Sequence, residues 1–120
     1  MKVFQIKSPD GPLTKIMVRS KCDIRFFNLS EVVYCSADRN YTKLHLVNGE
    51  SCLCCICLSK VAGMLSKFGF CMVHKSYLIN AMHIMALSTG AKYKLKLSNG
   101  SEITVTLPKK TILGYLLNGG

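Results

Sequence analysis

Polar and apolar residues alternate along "YTKLHLV" (41–47), the pattern of a strand with one buried face. Asn48-Gly49 follows, a dipeptide that favours tight hairpin turns, and then "SCLCCIC" (51–57). The same alternation begins "DIRFFNL" (23–29), and "VVYCS" (32–36) is a short apolar run. In "LSKVAGMLSKFG" the period changes: Leu58, Val61, Leu65 and Phe68 fall on one helical stripe, and Gly69 is a natural C-terminal stop. Strand-like runs return in "FCMVH" and "YLIN", broken at Lys75–Ser76, and in "HIMALS" (83–88). A second hairpin is expected in "KYKLKLSNGSEITVTL", turning at Asn99-Gly100. Pro108 opens a last helix, "PKKTILGYLLN", with Ile112, Leu113, Leu116 and Leu117 on its apolar face. Residues 1–22, with "SPDGP", read as an N-terminal arm or edge strand followed by turns, ahead of a domain over 23–120. The whole is mainly β with one or two short helices.

Composition sharpens this picture. A chain of 120 residues with 49% apolar content can bury an independent core. No apolar run approaches the roughly 20 residues of a membrane span, and "MKVFQIKSPDGP" has no signal-peptide apolar region. A cytoplasmic location without membrane contact is therefore expected. Charge is the strongest global signal: 16 Lys and Arg against 6 Asp and Glu, a net +10. Such an excess on a small domain points to a polyanion, nucleic acid before anionic membrane.

Seven cysteines raise the question of metal or disulfide chemistry, most of all in "CLCCIC". The odd count and missing secretory signal argue against a disulfide framework. A strand would send Cys52 and Cys54 to one face and Cys55 and Cys57 to the other, so four ligands would not converge on one ion. The cysteines are expected in the core, with no metal and no cofactor. No catalytic set, small-molecule substrate site or phosphate-cradling glycine loop is recognisable, and the acidic residues are too dispersed for paired-carboxylate chemistry. The chain is not expected to be an enzyme.

One stretch, "VHKSYLIN" (73–80), sets His74, Lys75 and Ser76 within apolar strand residues, so these three must face water or a partner. Together with "RNYT" (39–42) after a short apolar strand, and the helix ending in "FGF", it resembles the LytTR-type DNA-binding domain of bacterial transcription regulators. The resemblance covers about residues 24–112. It implies an elongated stack of small antiparallel sheets with one or two short helices. It also implies a sequence-specific double-stranded DNA binder, the output domain of response regulators, that inserts loops into successive major grooves. A second copy of the chain on the same DNA would fit that role.

By resemblance, one base-contacting loop holds Arg39, Asn40 and Tyr41, and a second holds His74, Lys75 and Ser76. A third holds Thr106, Leu107 and Pro108, followed by Lys109 and Lys110. The first two loops, carrying Asn40 and Lys75, are expected in neighbouring major grooves, about one helical turn apart. Lys75 stands where the family usually has arginine, which keeps the charge but loses the planar fork suited to guanine. Thr106-Leu107 stands where Ser-Arg is frequent, leaving Lys109 and Lys110 as phosphate contacts. The residue chemistry supports these roles: asparagine can pair with adenine and lysine can donate to guanine. Two lysines in a helix's first turn oppose its dipole, a placement that a docked phosphate would explain. His74 either holds its own turn by a side-chain hydrogen bond or touches a base. Asn80 is expected to secure backbone, and His45 to be an outward strand residue. Lys92, Lys94 and Lys96 share one strand face, either solvated or a phosphate track. The alternative function is a basic β-module binding RNA or an acidic protein, although Tyr93, alternating with those lysines, should face the core instead of stacking on bases.

Overall fold

The computed structural model describes residues 1–20 and 22–117, and the expected helix end at Asn118 lies outside them. Alternation becomes strand almost everywhere it was expected. Strands β1 (Lys2–Ser8) and β2 (Gly11–Arg19) are followed by β3 (Ile24–Asn28), β4 (Val32–Asp38), β5 (Tyr41–Leu46) and β6 (Ser51–Cys54). Helix α1 (Leu58–Leu65) and a 3-10 turn (Ser66–Phe68) lead to β7 (Phe70–His74) and β8 (Tyr77–Asn80). Strands β9 (Ile84–Thr89), β10 (Tyr93–Leu97) and β11 (Glu102–Thr104) precede helix α2 (Lys109–Leu117). Gly69 ends the helical segment at φ 88°, the left-handed conformation that glycine adopts without steric cost.

These strands form three antiparallel sheets, ordered β1-β2-β3, β6-β5-β4-β8-β7 and β11-β10-β9. The five-stranded sheet is the spine, and period-2 alternation gives it two buried faces. Cys35, Leu44, Cys52, Phe70 and Leu78 join α1 and the N-terminal sheet in one core. Cys71, Val73 and Ile79 join β10, β11 and α2 in the other, with Leu95 and Ile112 fully buried there. A register shift between Val32 and Tyr34 turns Val33 and Tyr34 together toward the second core. The molecule measures 42 × 36 × 25 Å.

Side-chain hydrogen bonds fasten the strand ends and the turns that follow them. Asn80, 3% exposed, donates through Nδ2 to the Val32 carbonyl at 3.0 Å and accepts from the Met82 amide at 3.1 Å. His83 Nε2 donates to the Ser30 carbonyl, and its Nδ1 meets Ser98 Oγ, both at 2.6 Å.

Three details depart from expectation. The first 20 residues form a hairpin whose outer strand β1 is an edge, while β2 pairs with β3 and buries Ile16 and Val18 completely. β6 stops at Cys54, leaving Cys55 exposed and Cys57 partly exposed beyond the strand, and Cys22 is also exposed, so these three cysteines lie outside the core. In α2, Leu117 is 79% exposed because it lies about 100° around the helix from Leu116, which packs on the core.

Candidate nucleic-acid interface

Strands β4 and β5 pair Asp38 with Tyr41, so Arg39 and Asn40 make a two-residue hairpin turn. Arg39 has φ 59°, and among the described residues it is the one non-glycine with positive φ. Such turns favour glycine or asparagine there, and a branched-out side chain costs on the order of 1 kcal/mol. A cation is thus held at a position where the fold alone prefers glycine. Arg39→Gly should leave unfolding free energy unchanged or raise it by up to about 1 kcal/mol, while weakening duplex binding. Denaturant titration and DNA titration of the same variant check the opposite signs.

The second turn is Lys75–Ser76, closed by His74 opposite Tyr77, with a register shift between Met72 and His74. His74 Nδ1 accepts from the Ser76 amide at 3.0 Å, and its ring leans on Tyr77 at 5.2 Å. The histidine therefore holds its own turn, and in its neutral form the ring proton sits on Nε2. Lys75, with no such constraint, is exposed at the tip.

The third segment runs from β11 into α2. Val105 donates to the Tyr93 carbonyl at 2.9 Å, and Thr106 to the Val73 carbonyl at 3.4 Å. Ile112, fully buried, anchors α2 so that Lys109 and Lys110 stand exposed in its first turn. Among the described residues one ion pair forms, Arg25–Glu50 at 3.6 Å, so the cations of all three segments lack a carboxylate partner.

Long-range pairing brings the three together. β8 runs antiparallel to β4 with Tyr77 opposite Ser36, which puts turns 39–40 and 75–76 at the same end of the sheet. The Ala37 amide donates to the Ser76 carbonyl at 3.0 Å, joining the first turn's base to the second. The Thr106–Val73 bond attaches the third beyond β7. The order is a row with the Lys75 turn in the middle. Two strand spacings separate the first two turns, roughly 10 Å, against about 34 Å between successive major grooves along one face. Asn40 and Lys75 therefore do not lie one helical turn apart. The widest reach belongs to the outer members of the row, Asn40 and the Thr106–Lys110 segment.

Two further features depend on tertiary arrangement. The turn between β9 and β10 reaches the same end, where residues 90–93 and 104–108 line an open depression of about 590 Å³. Exposed Lys92 and Lys94 extend the basic row there. Their alternation was visible, but their place beside Thr106 depends on sheet order. His45 is not simply outward: it stacks on Tyr34 at 4.0 Å and 6°, with Nε2 2.8 Å from Ser36 Oγ. Partial burial pushes its pKa below the usual histidine range, and Lys43 adds to the effect. Tyr93 packs toward the second core, as its alternation requires.

Comparison with known proteins places this geometry. Residues 23–116 match the model of the LytTr DNA-binding domain. The CO-responsive transcriptional regulator RcoM of Rhodospirillum rubrum is 29% identical over 79 residues, 66% of this chain and 33% of the regulator. The chain thus spans about a third of that relative's length. The LytTr DNA-binding domain of a methyl-accepting/DNA response regulator from Bacillus cereus superposes with a TM-score of 0.69 at 21% identity, covering 86% of this chain and 95% of that one.

Proposed function

The chain belongs to the LytTr DNA-binding domain family, and we propose that it regulates transcription by reading duplex DNA through the row of turns at one end of its central sheet. The observation that carries this reading is the pair of backbone hydrogen bonds, Ala37 to Ser76 and Thr106 to Val73, which hold the three segments on one rigid edge. Arg39, Asn40 and Lys75 project from hairpin tips, with Tyr41 beside them at the start of β5, where a strand scaffold fixes them against a groove. Asn40 and Lys75 supply base-edge donors and acceptors. Lys109 and Lys110 supply phosphate contacts, favoured by the amides of the α2 N-terminus. His74, Ser76 and Thr106 shape and join the turns, so their contribution to DNA contact follows from position.

With the outer members of the row in successive major grooves, the Lys75 turn lies over the intervening minor groove, where the Lys75 ammonium reaches acceptors on the base edges. The protein works by binding, without catalysis or cofactor, in the cytoplasm, and a second copy can occupy an adjacent site on the DNA. No helix among the described residues is long and apolar enough to cross a membrane.

Titration of duplex DNA, single strands and structured RNA at one salt concentration tests the proposal; duplex should bind most tightly. Lys109→Ala should weaken cognate and random duplex alike and reduce the salt slope by about one. A loss confined to one sequence would make Lys109 a base-reading residue.

A further inference from the structure

The N-terminal sheet has one face on the first core and another that nothing covers. Register places Val3, Ile16 and Phe27 together on the inner face. The same alternation puts Phe4, Ile6, Met17, Ile24 and Phe26 on the outer one. Phe26 is 56% exposed, Ile24 47% and Ile6 41%, while Phe4 meets Phe26 edge to face at 6.3 Å. A contiguous apolar face of this kind differs from singly scattered surface hydrophobics and marks an interaction surface.

Cations are set among these side chains. Lys15 stands directly opposite Phe4, Arg19 opposite Ile24, and Lys2 opposite Met17. None of the strand positions on this face carries a carboxylate; Lys15 is held only by a neutral partner, Asn28 Oδ1 at 3.0 Å. A second copy of the chain would bring three like charges against three, on molecules that each carry a net +10. The apolar side chains stand on the flat face of a sheet and not on protruding loop tips, so they suit a solid complementary surface better than a lipid headgroup layer.

We propose that the outer face of β1-β2-β3, where Phe4, Ile24 and Phe26 alternate with Lys15 and Arg19, docks an acidic amphipathic protein segment. That segment lays apolar side chains on the aromatic pair and carboxylates on the flanking cations. The face points away from the central sheet, so the segment and DNA can be held together. This gives the domain a contact through which a further protein is brought to, or kept from, bound DNA.

The test titrates the full chain calorimetrically with a synthetic amphipathic peptide carrying Glu on one face and Leu and Phe on the other. A Lys-for-Glu version of the peptide and phosphatidylglycerol vesicles serve as comparisons. Saturable binding of the acidic peptide alone is expected, weakened about tenfold or more by Phe26→Ser, as loss of a central aromatic anchor does. Arg19→Glu should weaken it too and remove much of its salt dependence. Both side chains are exposed, so melting curves and duplex binding should match those of the unaltered protein. Equal binding of the Lys peptide, binding to vesicles only, no peptide binding, or a Phe26-dependent dimer in sedimentation would each overturn the proposal.

Discussion

Replacing Asn40 and Lys75 together by alanine should reduce preference for the cognate duplex over a scrambled one by about 2–6 kcal/mol, the sum of two losses of about 1–3 kcal/mol each. Both side chains are exposed at hairpin tips and neither takes part in the hydrogen bonds that join the turns. The fold should therefore survive, and the effect should appear in competition binding at fixed salt and not in the melting curve. The turns lie roughly 10 Å apart by strand spacing, near the limit beyond which effects add. Truncating the side chains leaves the Ala37–Ser76 backbone bond intact, which favours additivity. Each single variant should relax different base pairs within one compact site. If both relax the same base pair, or if the double variant is no worse than either single one, the two turns do not read independently.

Asn80→Ala should lower unfolding free energy by about 2–4 kcal/mol. The substitution leaves the buried Val32 carbonyl without its donor and the Met82 amide without its acceptor. An unsatisfied buried group costs about 1–3 kcal/mol, and the small cavity adds to this. The melting temperature should fall by about 10 °C for a domain of this size. Urea titration with an unchanged slope would confirm that stability, and not compactness, has moved. Asn80→Asp should also destabilise, because it keeps the acceptor but sets a carboxylate against the Val32 carbonyl. A loss below about 0.5 kcal/mol would show that Asn80 does not fasten the end of β8 to β4.

Local chemistry made much of this fold legible. Asn48-Gly49 and Asn99-Gly100 mark turns because Gly49 and Gly100 adopt positive φ, 87° and 88°. The stripe Leu58, Val61, Leu65 predicted α1 because its burial is set by helical period alone. Elsewhere tertiary packing decides. "PLTKIMVR" carries too weak an alternation to announce that Ile16 and Val18 are core, and only pairing with β3 reveals it. His45 looked like any outward strand residue until Tyr34 came beside it across the β4–β5 pair. The candidate site divides in the same way. The turns at 39–40 and 75–76 were visible as breaks between strands, and their family resemblance supplied the roles. Their nearness was not visible, because it depends on β4 pairing with a strand about 40 positions later in the chain. The one-turn spacing expected for Asn40 and Lys75 failed for that reason. Similarly, Lys92 and Lys94 were legible as a stripe, but not as neighbours of the Thr106 segment.

In the proposed binding mode one end of the five-stranded sheet, and not one of its faces, meets DNA. Backbone amide shifts recorded by NMR on adding a cognate duplex test it most directly. Changes should concentrate at residues 38–41, 74–77 and 105–110, with smaller ones at 90–94, while β1–β3 stays unperturbed. Changes centred on the N-terminal sheet or on the His45 face, with the three turns silent, would contradict it.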